Sequence, residues 1–332
     1  MRSLVIAAVL FVSTASGQLL PDQRQHGLLV TGIRLTLEQR YDSAETVFRS
    51  MIREWPAHPS GYLYLAGMMQ ARTTDYGDTF NERRYDSLLS AAAELGERMA
   101  EQEGGEAAGL YYQGASDAFR SFTASEGGNL PTGFYYGVSA GGLLERCLEA
   151  DPSYTQARNI LGAYYYWRSK LAWIPFVTDR TEEGISFIKQ TLSHPYERHL
   201  ASHNLMLVLI DEERYADAES YGLAMLAQYP DNRSFLWNMV TVYERWGRRR
   251  ELDAVVRRLL DSALRAPVVN RYTEAMCRLK MAQYAFSLGD RGTARRECRA
   301  VLDLRPYIGR TRGDLRAKVS AAERLLSDMD ER

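Results

Sequence analysis

The sequence is poor in cysteine, proline and net charge, and each shortage excludes a class of protein. Three cysteines in 332 residues are too few, and odd in number, for the disulfide framework of a small secreted domain. A formal net charge of −1 gives no general attraction to nucleic acid or to an anionic membrane, so we expect neither as a partner. The ten prolines leave room for long helices, because proline interrupts them.

Long hydrophobic runs are also missing, except at the start of the chain. Arg2 gives a positive start, residues 4–12 are apolar, and Ala15-Ser16-Gly17 is typical of a cleavage site. This segment is too short to span a bilayer and predicts a secretory signal peptide over residues 1–17, which leaves Gln18 as the first mature residue. No cysteine follows the site, so a lipid anchor is not indicated. We therefore expect an exported protein, periplasmic or secreted, without a stable membrane span.

Four segments share one spacing, in which steps of three, four, three and five residues end at a proline. Steps of three and four place side chains on one helix face. The alanine at the second position lets a neighbouring helix approach closely, and the proline stops the helix. The segments are Tyr41, Ala44, Phe48, Met51, Pro56; Gly137, Ala140, Leu144, Cys147, Pro152; Tyr215, Ala218, Gly222, Met225, Pro230; and Arg291, Ala294, Cys298, Val301, Pro306.

A second pattern precedes these segments and completes a helix–turn–helix unit. Leu161-Gly162 with Tyr165 lies on the first helix of a pair, and Trp246-Gly247 marks a tight turn between two helices. The chain resembles the tetratricopeptide repeat (TPR) family, whose pattern is W-x2-L-G-x2-Y…A-x3-F…P. Leu161-Gly162-x2-Tyr165 matches the first half of that pattern, and Ala44-x3-Phe48 with Pro56 matches the second.

The fold expected from this resemblance is all-α: a right-handed TPR-like α-solenoid of about seven helical hairpins with a C-terminal capping helix. We place the helical repeat domain at residues 18–311 and the capping helix at residues 312–332. Cys277 and Cys298 fall on one hairpin, where they either form a disulfide or pack as two thiols. The predicted hairpins cover residues 25–56, 60–102, 107–152, 155–195, 199–230, 233–265 and 270–306.

The resemblance also implies that the first helix of each pair lines a concave groove. In one interpretation the aromatic stripe of the groove binds a protein or peptide, with Tyr111, Tyr166, Trp167 and Trp237 as anchors, because Tyr, Trp and Arg are frequent anchors at interfaces. In the other, the superhelix is tight and these aromatic side chains pack against one another. The candidate partner-binding residues are Tyr64, Tyr111, Phe119, Asn159, Tyr166, Trp167, His203, Trp237 and Arg245.

Signals for enzymatic chemistry are weak. His199 and His203 lie four residues apart, with His194 and Glu197 near in sequence, and form the best metal candidate. Because the spacing fixes no third ligand, two histidines at a helix start, one packed and one exposed, are the favoured interpretation. The chain has no GxSxG motif and no P-loop. We therefore expect no enzyme, no cofactor and no metal.

The segment between residues 170 and 180 is rich in exposed-looking aromatic residues. Pro175 should end the preceding helix, and Thr181 should cap the next one, with Glu182 and Glu183 in its first turn. This loop acts either as a lid or anchor over the groove, or as a cover for a gap in the solenoid.

The function expected from these features is a non-enzymatic scaffold of the cell envelope that binds a protein or peptide. The alternatives are an exported glycan- or lipid-binding module and, more remotely, a metal-dependent envelope hydrolase. The sequence gives no oligomeric state.

Overall fold

A computed structural model describes residues 20–78 and 81–331 of the chain. The expected signal peptide, residues 1–17, lies outside these ranges. Within them, no helix combines the length and the apolar character needed to cross a membrane. The three cysteines, Cys147, Cys277 and Cys298, are buried free thiols, so the last two pack without a disulfide.

The described residues form fifteen α-helices and a short 3₁₀ helix, Arg305–Tyr307, with no strand. Helices α1 to α14 pair in chain order as seven hairpins, which confirms the predicted all-helical solenoid. The helices are α1 Gln23–Leu37, α2 Tyr41–Glu54, α3 Ser60–Tyr76, α4 Glu82–Ala100, α5 Glu106–Glu126, α6 Leu130–Ala150, α7 Thr155–Ser169, α8 Thr181–Gln190, α9 Arg198–Asp211, α10 Tyr215–Gln228, α11 Arg233–Trp246, α12 Arg249–Leu264, α13 Arg271–Ser287, α14 Arg291–Leu302 and α15 Leu315–Asp330.

The repeated positions contribute to the core of hairpins 1, 3, 5 and 7. The second-position alanines Ala44, Ala140, Ala218 and Ala294 are buried, and their small side chains allow the close helix contacts that the spacing predicts. Gly32 has the same role on α1, because a Cβ atom there would lie 2.4 Å from the Phe48 ring. The first helices of successive hairpins also contact one another from α1 to α11, so they form the inner side of the superhelix.

The last helix covers the end of the solenoid, as a capping helix should. Leu315, Val319, Ala322 and Met329 of α15 are buried in one cluster with residues of α13 and α14. In hairpin 4, α8 begins one residue earlier than the sequence suggested. Thr181 is its first helical residue, not its cap, and donates its backbone N–H to the Asp179 carboxylate.

The superhelix closes on itself, so that hairpins 1 and 2 touch hairpins 6 and 7. The Asn232 side-chain amide donates to the Leu37 carbonyl at 2.8 Å. The Asn270 amide donates to the Asp75 carbonyl at 3.1 Å, and the Arg312 N–H donates to the Gly77 carbonyl at 3.1 Å. These three bonds, the closing contacts, join residues far apart in sequence and give one turn of the solenoid a fixed shape.

A buried ion pair lies at the centre of this closure. The Arg233 guanidinium donates to both oxygens of the Asp75 carboxylate, and the two side chains are only 9% and 6% exposed. The Tyr41 hydroxyl donates to the same carboxylate at 3.0 Å, and the Ser262 carbonyl accepts from Arg233 at 3.3 Å. Additional hydrogen bonds of this kind are what a buried pair needs to offset the loss of hydration.

Asp75→Ala is expected to lower the free energy of unfolding by about 3–5 kcal/mol, because it leaves the Arg233 guanidinium buried without a counter-charge. The matched control is Asp217→Ala, which removes an exposed pair with Arg214 and should cost less than about 1 kcal/mol. Urea titration followed by helicity measures both. Equal losses in the two variants would show that the closure does not depend on the buried pair.

Candidate functional site

The inner side of the superhelix is filled by the segment between α8 and α9, residues 194–197, which we call the inner segment. Its Tyr196 hydroxyl lies 2.6 Å from His26 Nδ1 on α1 and accepts the Leu20 backbone N–H at 3.1 Å. Tyr196 itself is buried. The inner segment therefore crosses from hairpin 4 to hairpin 1 and takes the place of an open groove.

Glu197, the last residue of the inner segment, is buried among neutral hydrogen-bond donors. Its carboxylate accepts from the Tyr111 hydroxyl at 3.1 Å and from the Asn159 amide at 2.8 Å. The Asn204 amide in turn donates to the Asn159 carbonyl oxygen at 3.1 Å. Burial raises the pKa of Glu197, and these hydrogen bonds offset only part of that rise. The interior thus favours the neutral acid.

Several expected groove residues lie in this interior. Tyr111, Asn159 and Tyr166 are buried, and Tyr111 packs against the rings of Tyr112 and Tyr154. The side chains of Tyr111 and Asn159 contribute to the polar network around Glu197. The Tyr166 hydroxyl bonds instead to Asp211 and Glu212. For these three residues, the tight-superhelix interpretation describes the geometry.

Three further expected residues are partly buried. The hydroxyl of Tyr64 is buried, and Phe119 packs against the core of hairpins 2 to 4. The Trp237 ring stacks on Tyr272, with ring centroids 6.5 Å apart and planes 8° from parallel. Each of these rings offers only part of its surface to a partner.

The histidine pair is placed in the same interior, on α9. Burial lowers the pKa of both His199 and His203 to about 4, so they are neutral at pH 7. His203 Nδ1 lies 2.9 Å from the Asn238 amide of α11. In the part of the chain that the structure describes, no group of three or more His, Cys, Asp or Glu side chains is placed to hold a metal ion.

The open part of the inner side is a rim of polar side chains at the C-terminal ends of α7, α9 and α11. Trp167 is 47% exposed there, and Arg245 is exposed. Lys170 Nζ lies 2.8 Å from the Asp211 carboxylate and 2.6 Å from that of Glu212. We call Trp167, Lys170, Asp211, Glu212 and Arg245 the charged mouth.

Three of the charges of the mouth, on Lys170, Asp211 and Glu212, are fixed by mutual contacts. Hydrogen bonds from Lys170 hold the pKa of Asp211 below its usual value, and the positive charge of Arg245 adds to this effect. The Tyr166 hydroxyl lies 2.7 Å from the carboxylates of Asp211 and Glu212 and hydrogen-bonds to them from the buried side. The arrangement offers one flat aromatic surface among ordered charges of both signs.

A second exposed surface, the aromatic edge, combines the loop after α7, which the sequence marked as a candidate lid or anchor, with residues of α6 that the sequence interpretation did not select. It consists of Leu130, Phe134, Tyr135, Trp173, Ile174 and Phe176, all exposed. The signal on α6 was available in the sequence, because residues 130, 134 and 138 are apolar at a spacing of four. They form a second stripe beside the repeat stripe of Gly137, Ala140, Leu144 and Cys147.

Glu197→Gln is expected to stabilise the protein increasingly as the pH rises. A raised folded-state pKa means that the stability contributed by protonated Glu197 is fully present below the unfolded value of 4.5 and is lost as the pH rises through the folded value. Glutamine removes this titration and can still accept from Asn159 and contact Tyr111.

The free energy of unfolding of wild type and variant is measured at about pH 4.5 and about pH 8, the two sides of the expected transition. The free energy of unfolding of the variant should exceed that of wild type by more at the higher pH than at the lower pH. Glu101→Gln, at an exposed helix end, is the matched control and should show no such change. A gain in the free energy of unfolding that is independent of pH would mean that folding does not raise the pKa of Glu197.

Comparison with known proteins gives structural likeness at low identity. No protein-family model matches the chain, and no curated protein matches it in sequence. PilW, a widely conserved type IV pilus biogenesis factor, is similar over 86% of this chain and 96% of its own, with 13% identity and a TM-score of 0.38. The C-terminal part of a TPR repeat-containing protein from Cytophaga hutchinsonii is similar over 84% and 95%, with 12% identity and a TM-score of 0.44.

The TPR domain of P58(IPK) is similar over 93% of this chain and 100% of its own, with 12% identity and a TM-score of 0.27. Two of these three structures are described as TPR proteins, the family that the sequence motifs resemble. At this level of identity and overlap the likenesses carry no argument about function, and the solenoid fold rests on the helices of the chain itself.

Proposed function

We propose that this chain is an exported, non-enzymatic scaffold of the cell envelope that holds a protein or peptide partner at the charged mouth. The single observation that carries the proposal is the half-exposed ring of Trp167, set among the ordered charges of Lys170, Asp211 and Glu212. Tryptophan and arginine are the residue types that most often dominate binding energy at interfaces.

The rigidity of the mouth supports this function. Each of its acidic side chains is already hydrogen-bonded to Lys170 or Tyr166, so a partner does not have to order them. The closed superhelix below holds α7, α9 and α11 in fixed positions. Binding to a preorganised surface loses less conformational entropy.

The chemistry of the mouth indicates the kind of segment it takes. An apolar or aromatic side chain of the partner packs on Trp167, and charged groups on either side pair with Glu212 and Arg245. Because the interior is filled by the inner segment, the partner lies across the mouth and does not enter the superhelix. A polypeptide, which carries apolar and charged groups of both signs, meets these requirements.

Trp167→Ala is expected to weaken binding of the partner by about 30-fold, which corresponds to the ~2 kcal/mol of a strong interface anchor. The partner is first captured by the mature chain, residues 18–332, from envelope extract, and its affinity for each variant is then measured with purified components. Leu223→Ala, an exposed apolar residue on α10, is the matched control and should bind like wild type.

Equal affinities of the Trp167 variant and wild type would reject the mouth as the binding site. Competition by a soluble glycan, with no effect of a soluble peptide, would favour the alternative of an exported glycan-binding module.

Export is expected to remove residues 1–17, because the segment has the charge, apolar run and small residues of a signal peptide. Mass spectrometry of the protein recovered from the envelope fraction should find Gln18 at the N-terminus. An intact Met1 in a protein confined to the cytoplasm would contradict this part of the proposal.

A further inference from the structure

Helix α6 is apolar on two sides. Its inner stripe, which includes Ala140, Leu144 and Cys147, is buried between hairpins. Its outer stripe carries Leu130 and Phe134, both exposed, and Tyr135 beside them is 68% exposed. A surface helix normally has one apolar face directed to the core and a polar face directed to water, so the outer stripe of α6 requires an explanation outside the core.

The loop between α7 and α8 presents the same kind of side chains. Trp173 is 80% exposed, Ile174 is exposed and Phe176 is fully exposed. Phe176 has a φ of 71°, a left-handed conformation that is unfavourable for a bulky residue. The loop thus holds a large aromatic ring in water at some cost in backbone energy.

The α6 stripe and this loop lie at the same end of the solenoid. Helices α6 and α7 pack together, and a Cβ atom on Gly141 would lie 2.3 Å from the Tyr164 ring. From Gly141, α6 extends seven residues back to Phe134, about 10 Å along its axis, whereas α7 extends five residues from Tyr164 to its end, about 8 Å, in the same direction. The start of α6 therefore stands beside the loop that follows α7.

Neither segment carries a charged side chain. Residues 127–144 and 171–178 contain no Asp, Glu, Lys, Arg or His, in a chain that is 25% charged. Of the charges that border the loop, Lys170 is paired with Asp211 and Arg180 with Glu183, and the Asp179 carboxylate accepts the Thr181 backbone N–H. The aromatic edge itself is thus a neutral surface.

The equivalent ends of hairpins 1 and 2 are covered by the closing contacts to Asn232, Asn270 and Arg312. At hairpin 3, Arg312 reaches Glu126 at 3.6 Å. The six side chains of the aromatic edge remain exposed, so no described part of the chain covers them.

We propose that the aromatic edge docks the protein onto the interface of a lipid bilayer, with the side chains of Phe134, Trp173 and Phe176 inserted below the headgroups. This role goes beyond the proposed scaffold function, which uses the charged mouth. It makes the protein a peripheral membrane protein that is held by apolar insertion and has no membrane-spanning helix among its described residues.

The chemistry of the edge favours a bilayer over a protein partner. Protein interfaces combine an apolar centre with a polar rim and about one hydrogen bond per 100–200 Å². The edge offers only the Tyr135 hydroxyl and the Trp173 indole N–H, and Tyr and Trp are the residues enriched at the boundary between lipid and water. The absence of charge also matches a neutral lipid surface, because no ionised group has to lose its hydration.

The test uses the mature chain, residues 18–332, and vesicles of phosphatidylcholine. Flotation of the intact protein with the vesicles is expected, and about 1 M salt, at which the Debye length is about 3 Å, should leave it unchanged. Trp173→Ser with Phe176→Ser should lower the partition coefficient at least about tenfold, because membrane affinity scales with the inserted apolar area. Phe134→Ser with Tyr135→Ser on α6 should act in the same direction.

The matched control is Leu223→Ser with Leu288→Ser, which removes two exposed apolar side chains outside the edge and should leave partitioning unchanged. Insertion is measured directly by quenching of tryptophan emission with brominated phosphatidylcholine. Trp173→Phe keeps the apolar bulk, so this variant should still float but lose most of the quenching. Circular dichroism verifies that each variant is folded.

Failure of the intact protein to float overturns the proposal, as does unchanged flotation of both edge variants or flotation that salt abolishes. A different result would be that the intact protein does not bind vesicles but forms a concentration-dependent dimer, and that the edge variants stay monomeric. The edge would then be an interface between two copies of the chain. Partner binding at the mouth is measured separately with Trp167→Ala, so failure of one proposal leaves the other intact.

Discussion

The buried pair of Arg233 and Asp75 is the contact on which the shape of this protein depends. In a helical-repeat protein each hairpin normally touches only its neighbours, and the chain behaves as a one-dimensional array. Here the Asp75 carboxylate on α3 and the Arg233 guanidinium on α11 are buried against each other. The closing contacts lie beside them. Because neither charge has another counter-charge in that site, hairpins 2 and 6 are held together and the array becomes a closed unit.

Closure determines which surfaces remain for partners. It brings the inner segment across to α1, and this segment fills the space that an open solenoid offers as a groove. The surfaces proposed for binding lie at the ends of the hairpins: the charged mouth on the first helices, and the aromatic edge on α6 and the loop between α7 and α8. The first is polar and ordered and the second is neutral and apolar, so they suit different occupants.

Loss of hydration in the interior shifts the pKa values of acids and of histidines in opposite directions. Burial raises the pKa of Glu197 and lowers those of His199 and His203, because loss of hydration disfavours the charged form of either type of group. Neutral donors and acceptors from Tyr111, Asn159 and Asn238 then complete the network. A cluster that suggested a metal site in the sequence therefore forms a polar core in which burial favours the neutral form of each group.

The sequence by itself determined the helices, the hairpins and the repeated core, because a spacing of three and four residues acts over one or two helical turns and proline acts on its immediate neighbours. Ala44 and Phe48 are buried where their spacing requires. Tertiary structure alone decided the closure, since Asp75 and Arg233 are 158 residues apart and no local pattern marks them as partners. It also decided which aromatic residues face water: Tyr166 and Trp167 are neighbours in one motif, yet only the second is exposed, because exposure depends on what the closed superhelix covers.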